Sequence, residues 1–286
     1  MIQLANGGLA ATIHEKGAEL QSLQLNGLEY IWQANAAYWA KHSPVLFPIV
    51  GELKDGKYFF NHKEYKLSRH GFARDKTFEA EKTSPGSAVF TLRSDEQTLA
   101  VYPFHFIFRV KYEIKDAELS CTYHVTNGGD NTMYFSVGGH PAFNVPLISS
   151  LKYSDYVLEF NNDENLNRSL LHKGLTGKET EKIQLHNRTL QLEPSLFYTD
   201  AIVLKRIHSN EIKLYSNKDV HGLKFKFSSF PYFGIWAAVD APFVCLEPWF
   251  GIADSIHHNQ QLTHKEGINR LSTGESWQRT WSVELF

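Results

Sequence analysis

From Phe106 to Ile114 every second residue is apolar: Phe106, Phe108, Val110, Tyr112 and Ile114 alternate with Ile107, Arg109, Lys111 and Glu113. A side-chain period of two belongs to a strand with one buried face. Lys115-Asp116-Ala117-Glu118 then breaks the run, and residues 119–126 continue as a second strand. The pair reads as a hairpin. Leu223, Phe225 and Phe227, alternating with Lys224, Lys226 and Ser228, repeat the pattern. Further strands are expected over 9–14, 18–25, 57–60, 88–93, 133–137, 156–160, 201–204, 211–215, 232–237 and 277–285. Asn26-Gly27, Asp55-Gly56, Pro85-Gly86 and Asn127-Gly128 supply turns between them.

Helical signals are few. Residues 35–41 and 194–197 read as short turns of helix, and no amphipathic stretch of about 12 residues occurs. The expected fold class is therefore all-β, a large antiparallel sandwich with few short helices. Without a repeat, a low-complexity tract or a linker, residues 1–286 read as one domain. The polar segment 161–187 is expected as a long irregular surface insertion, rimming a site.

Composition narrows the function classes. Lys plus Arg number 29 against 31 Asp plus Glu, so the basic excess of a phosphate-neutralising nucleic-acid binder is missing. Cys121 and Cys245, alone in apolar stretches, provide no disulfide framework and read as buried free thiols. No long apolar run suggests a membrane span, and residues 1–11 lack the pattern of a secretion signal, so a cytoplasmic location is expected. Aromatic residues reach 14%, which suits both strand packing and the apolar faces of sugars; packing accounts for most of them.

Four segments depart from ordinary sheet. In Ser68-Arg69-His70-Gly71-Phe72-Ala73-Arg74, two arginines flank a histidine, and the glycine allows a close backbone approach. The segment is either a ligand loop or a solvated polar one. In Gly138-Gly139-His140-Pro141-Ala142-Phe143-Asn144, two glycines and a proline surround one imidazole at the end of a strand, which favours rigid presentation over a plain turn. In Val244-Cys245-Leu246-Glu247-Pro248-Trp249, a carboxyl sits in an apolar strand; if buried, it needs partners or a raised pKa, and either suits a general base. The alternative is an outward-facing Glu on an edge strand. Asp200, ahead of an apolar strand, is either a hydroxyl binder or a turn acceptor. His257 and His258 are adjacent in sequence and no metal-binding His motif occurs, so no metal site is expected. Nucleophile-elbow, P-loop and dinucleotide fingerprints are missing, so hydrolase, NTPase and dinucleotide readings lack support.

Taken in order, Arg69-His70-Gly71-Phe72-Ala73-Arg74, Gly138-Gly139-His140-Pro141-Ala142-Phe143-Asn144 and Leu246-Glu247-Pro248-Trp249 resemble the aldose 1-epimerases, or galactose mutarotases. The likeness is greatest to the branch of LacX-like and glucose-6-phosphate 1-epimerase-like proteins. It runs over essentially the whole chain. It implies an antiparallel β-supersandwich with an open sugar cleft, working on a small-molecule sugar as a monomer or homodimer. It also implies Glu247 as general base, His140 as general acid, and His70 near the sugar ring oxygen, with no organic cofactor. Arg69, Arg74, Asn144 and Asp200 are the further expected sugar contacts. Galactose mutarotases carry an arginine upstream of the first of these histidines, whereas residues 43–52 here have none. Arg74 is the replacement that the sugar-phosphate branch suggests. Free and phosphorylated hexoses both stay open as substrates, and so does a non-catalytic sugar binder on the same fold. Reference pKa values of about 4.3 for Glu and about 6.5 for His lead us to expect a carboxylate facing an imidazolium.

Overall fold

The computed structural model describes all 286 residues. Nine antiparallel strands form the larger sheet, with the hairpin Phe106–Lys115 and Glu118–Asn127 near its middle. Residues 106–115 pair with 127–118 without a register break, as the uninterrupted alternation requires. Ser276–Leu285 flanks the hairpin on one side and Ser87–Arg93 on the other. An eight-stranded sheet faces it, centred on Phe243–Phe250, which pairs with Tyr232–Trp236, Val137–Gly139 and Ala142–Asn144. A four-stranded sheet of residues 2–29 completes the main body.

The two large sheets meet through aromatic side chains, the one residue class that fills an inter-sheet layer in single pieces. Phe227 of the larger sheet's side packs on Phe233 with ring centres 4.2 Å apart, and Phe47 stacks on Phe108 at 4.4 Å. Inside this layer the Trp281 indole N–H donates to the Tyr123 hydroxyl at 2.9 Å. The ring-rich composition thus serves packing first, as expected. Cys121 and Cys245 are both buried free thiols.

Most predicted strands form. Two readings are corrected. Segment 161–187 is not irregular: Asn165–His172 and Leu175–Gln184 form an antiparallel hairpin at one edge of the eight-stranded sheet. Its outer strand is solvent-exposed along most of its length, so no apolar alternation marks it. Residues 35–41 form turns rather than a helix. The α-helix that does form is Glu96–Val101, one and a half turns long, held by a reciprocal cap between Asp95 and Thr98. No helix is long and apolar enough to cross a membrane.

Candidate active site

The strand Phe243–Phe250 sets the site. Its two-residue period places Cys245, Glu247 and Trp249 on one face. Glu247 lies opposite Gly234 and is 2% exposed, so the edge-strand alternative fails. Trp249 shows what the glycines are for. A Cβ on Gly138 would lie 2.8 Å from its ring, and one on Gly234 would lie 2.5 Å from it. The bare backbones of both neighbouring strands therefore make the slot that holds the indole beside Glu247.

His140 enters from Val137–Gly139, where its backbone N–H donates to the Pro44 carbonyl at 3.1 Å. The imidazole stacks on Trp39, with ring centres 5.0 Å apart and planes 29° apart, and meets Trp236 edge-on. Its Nε2 stands 3.2 Å from a Glu247 carboxyl oxygen. His70 approaches the same imidazole edge-on at 5.7 Å. His70 and Gly71 both have positive φ, 67° and 73°. A non-glycine residue in this region costs energy and marks a chain forced to aim a side chain.

These groups share a cavity of about 340 Å³, within the range of small-molecule sites. Arg69, Arg74 and Asp200 line it too, as expected. Arg69 donates from Nε to Glu52 at 2.7 Å and is half exposed. Arg74 is more enclosed, and its Nε stands 3.7 Å from an Asp75 carboxyl oxygen without a hydrogen bond. Asp200 accepts the Ala201 N–H at 2.7 Å, as a turn acceptor does, and it also lines the cavity. Asn144 is a correction. Its amide donates to the carbonyls of Glu29 and Ile31, both at 3.1 Å, and it lies outside the cavity. The motif residue ties the four-stranded sheet to the eight-stranded one instead.

Sequence reasoning missed Trp39, Trp236, Gly51, Glu52 and the hairpin residue Thr176 as parts of the site. Tryptophans such as Trp39 in a loop and Trp236 at a strand end carry the same signal whether they fill a core or line a cleft. The edge hairpin gave no signal of the kind that places a strand.

Electrostatics also departs from expectation. Burial pushes the Glu247 carboxyl well above the usual range, with Trp249 acting the other way. Burial also pushes His140 down, to about 3, helped by Arg74 and Arg69 and opposed by its own backbone carbonyl. His70 is held well below its usual value by burial, then by His140 and the two arginines. A standing imidazolium is thereby replaced by a pair that favours one shared proton: a neutral acid beside a neutral imidazole, or the ion pair one proton transfer away. His140 Nδ1, Glu247 Oε2 and the Trp249 indole nitrogen are all buried without hydrogen-bond partners. Buried polar atoms without partners are uncommon, and here they gather on one cavity.

A family model described as aldose 1-epimerase matches residues 1–269. The plasmid-encoded protein LacX of Lactococcus lactis subsp. lactis is 32% identical over 295 residues, spanning 99% of each chain. A solved galactose mutarotase related enzyme from Lactobacillus acidophilus superimposes with a TM-score of 0.95 at 34% identity, covering 100% of this chain and 97% of its own. A galactose mutarotase-like protein from Lactobacillus casei gives a TM-score of 0.93 at 32% identity, with 100% of both chains covered.

Proposed function

The chain belongs to the aldose 1-epimerase family, and on that premise we propose that it interconverts the α and β anomers of a hexose or related aldose. Anomer exchange needs two proton transfers at two oxygens. The C1 hydroxyl loses a proton while the ring oxygen gains one, and the bond between C1 and the ring oxygen breaks. Rotation about C1–C2 and reclosure deliver the other anomer. Both oxygens sit on the same carbon, so the donor and acceptor must lie close together.

The observation that carries the reading is the 3.2 Å approach of His140 Nε2 to Glu247 at the buried floor of the cavity. In the ion-pair form, Glu247 takes the C1 proton as His140 gives one to the ring oxygen. The pair is then left neutral, which is the state that ring closure needs. One proton arrangement thus serves opening, and its tautomer serves closing, with no net gain or loss of protons. Each transfer supplies roughly 10²–10⁴-fold, which suffices for a reaction with a modest spontaneous barrier. His70 contributes a donor near the ring oxygen, and the aromatic walls from Trp39 and Trp236 exclude water.

A non-catalytic sugar binder can hold hydroxyls with a carboxylate, but it has no need of a buried Glu set 3.2 Å from a His. The two arginines at the cavity favour a second reading on the same chemistry, a phosphorylated hexose, whose anionic charge they complement. The test is polarimetry of freshly dissolved α-glucose or α-galactose, extended by NMR anomer exchange to their 6-phosphates. Faster equilibration of any of these sugars supports the reading. Spontaneous rates across the whole panel reject it.

A further inference from the structure

On the face of Phe243–Phe250 that carries Glu247, the residue two positions before it is Cys245, buried in the core behind the cavity wall. Anomer exchange has no role for this thiol. Yet its sulfur, an imidazole nitrogen of His140 and a carboxyl oxygen of Glu247 all lie within 4.8 Å of one another. All three residues are buried, and Glu247 Oε2, which meets His140 Nε2 at 3.2 Å, makes no well-aligned hydrogen bond within the protein. Hydrogen bonding inside the protein does not account for this grouping.

The trio matches a three-ligand metal site with an open position. Zinc–ligand bonds of about 2.0–2.3 Å in a tetrahedron put ligand atoms about 3.3–3.6 Å apart. The 3.2 Å edge between His140 and Glu247 already fits, and the sulfur, within 4.8 Å of both, must close by at most about 1.5 Å to complete the face. Charge also balances. One thiolate and one carboxylate cancel a dication beside a neutral imidazole, so the filled site adds no net charge to a buried place. Sulfur and imidazole select zinc, cobalt or cadmium over magnesium and calcium.

We propose that His140, Cys245 and Glu247 form a binding site for a thiophilic dication of the zinc type, whose occupancy removes the acid–base pair from use. Binding releases the thiol proton, and any proton held by the carboxyl, to solvent. The fourth position faces the cavity, where it takes water or a sugar hydroxyl.

The full-length chain, stripped of metal, is titrated with cobalt chloride. The expected result is a sulfur-to-cobalt charge-transfer band that saturates at one equivalent and is displaced by zinc. Exposed histidines bind cobalt without such a band, and Cys121, the other thiol, has no metal-ligating neighbours. C245A and C245S lose the band while keeping the metal-free rate of anomer exchange. H140N and E247Q, which remove the other ligands, weaken cobalt binding by at least about tenfold. Zinc, but not magnesium, inhibits the wild type, and C245A needs at least about tenfold more zinc for the same inhibition. No band in the wild type, a band that persists in C245A, or equal zinc sensitivity of the two proteins overturns the proposal. A band in a chain that exchanges no anomers supports the site and rejects the proposed function.

Discussion

The backbone N–H of Gly51 donates to Nδ1 of His70 at 3.1 Å. That bond makes Nδ1 an acceptor and leaves the proton of the neutral ring on Nε2. Burial and nearby cations keep the ring neutral, so His70 offers the cavity a hydrogen-bond donor without a charge. Substituting His70→Ala should lower kcat/KM for anomer exchange by about 10²-fold, the usual cost of one oriented donor. Steady-state rates on the preferred aldose check this; an unchanged kcat/KM contradicts it.

The pH profile follows from the same cavity. Burial moves the His140 value down and the Glu247 value up. The pair gains a second proton only in strong acid, and it loses its last one only well above the usual carboxylate range. A lowered imidazole value shifts the acid limb downward, and a raised carboxyl value shifts the alkaline limb upward. We expect kcat to stay flat through the ordinary imidazole range, with the acid limb displaced toward the His140 value of about 3 and the alkaline limb displaced upward. Loss of activity with a midpoint near the ordinary imidazole value, about 6.5, contradicts the shared-proton pair.

Stability should move against function at Glu247. Its folded-state value is raised, so its contribution is present below the unfolded value of about 4.3 and is lost as pH rises through the folded value. Glu247→Gln removes that loss. Its melting temperature relative to the wild type should therefore be more favourable in alkaline than in acidic buffer, as calorimetry at both ends can establish. The opposite trend contradicts the burial argument.

Below the cavity, Asp254 accepts from Lys265 at 2.8 Å and from the Lys54 N–H at 3.0 Å, with His258 3.2 Å away. Burial raises its carboxyl value, but His258 and Lys265 outweigh this and bring it to about 2. The stabilisation is thus present above about pH 4 and is lost as pH falls toward 2. Asp254→Asn strands a buried ammonium and should cost about 3–5 kcal/mol in urea unfolding at neutral pH. The effect should reach the site, because the Asp254 carbonyl also accepts the Thr176 N–H of the edge hairpin. A loss below about 1 kcal/mol places the pair among the weak ion pairs of a surface.

What could be read from the chain tracks what is buried on one side only. The hairpin at 106–127 was legible because every second residue meets the core. The hairpin at 165–184 was not, because its outer strand has solvent on both faces for most of its length. Helix Glu96–Val101 is too short for periodicity, although Asp95 and Thr98 carried a capping signal. At the site, His70, His140, Glu247, Arg69, Arg74 and Asp200 all line one cavity; glycine, proline and strand context marked the two histidines and Glu247, whereas Arg74 and Asp200 were singled out by the family resemblance. Asn144 shared that context and was misread, since a motif does not say whether an amide faces a ligand or a backbone carbonyl. The protonation states were misread for a similar reason. Reference values belong to solvated groups, and only the fold reports how far burial removes the water.

The account rests on His140 and Glu247 acting as one proton-transfer unit. Its most direct test is the rate of α-to-β exchange, followed by polarimetry or NMR on the preferred aldose, in the wild type, H140N, E247Q and the double variant. We predict that each single substitution lowers the enzymatic rate by at least about 10²-fold. The double variant should be no slower than the worse single one, because partners in one unit do not lose activity additively. An E247Q or H140N protein that exchanges anomers at the wild-type rate contradicts the central claim.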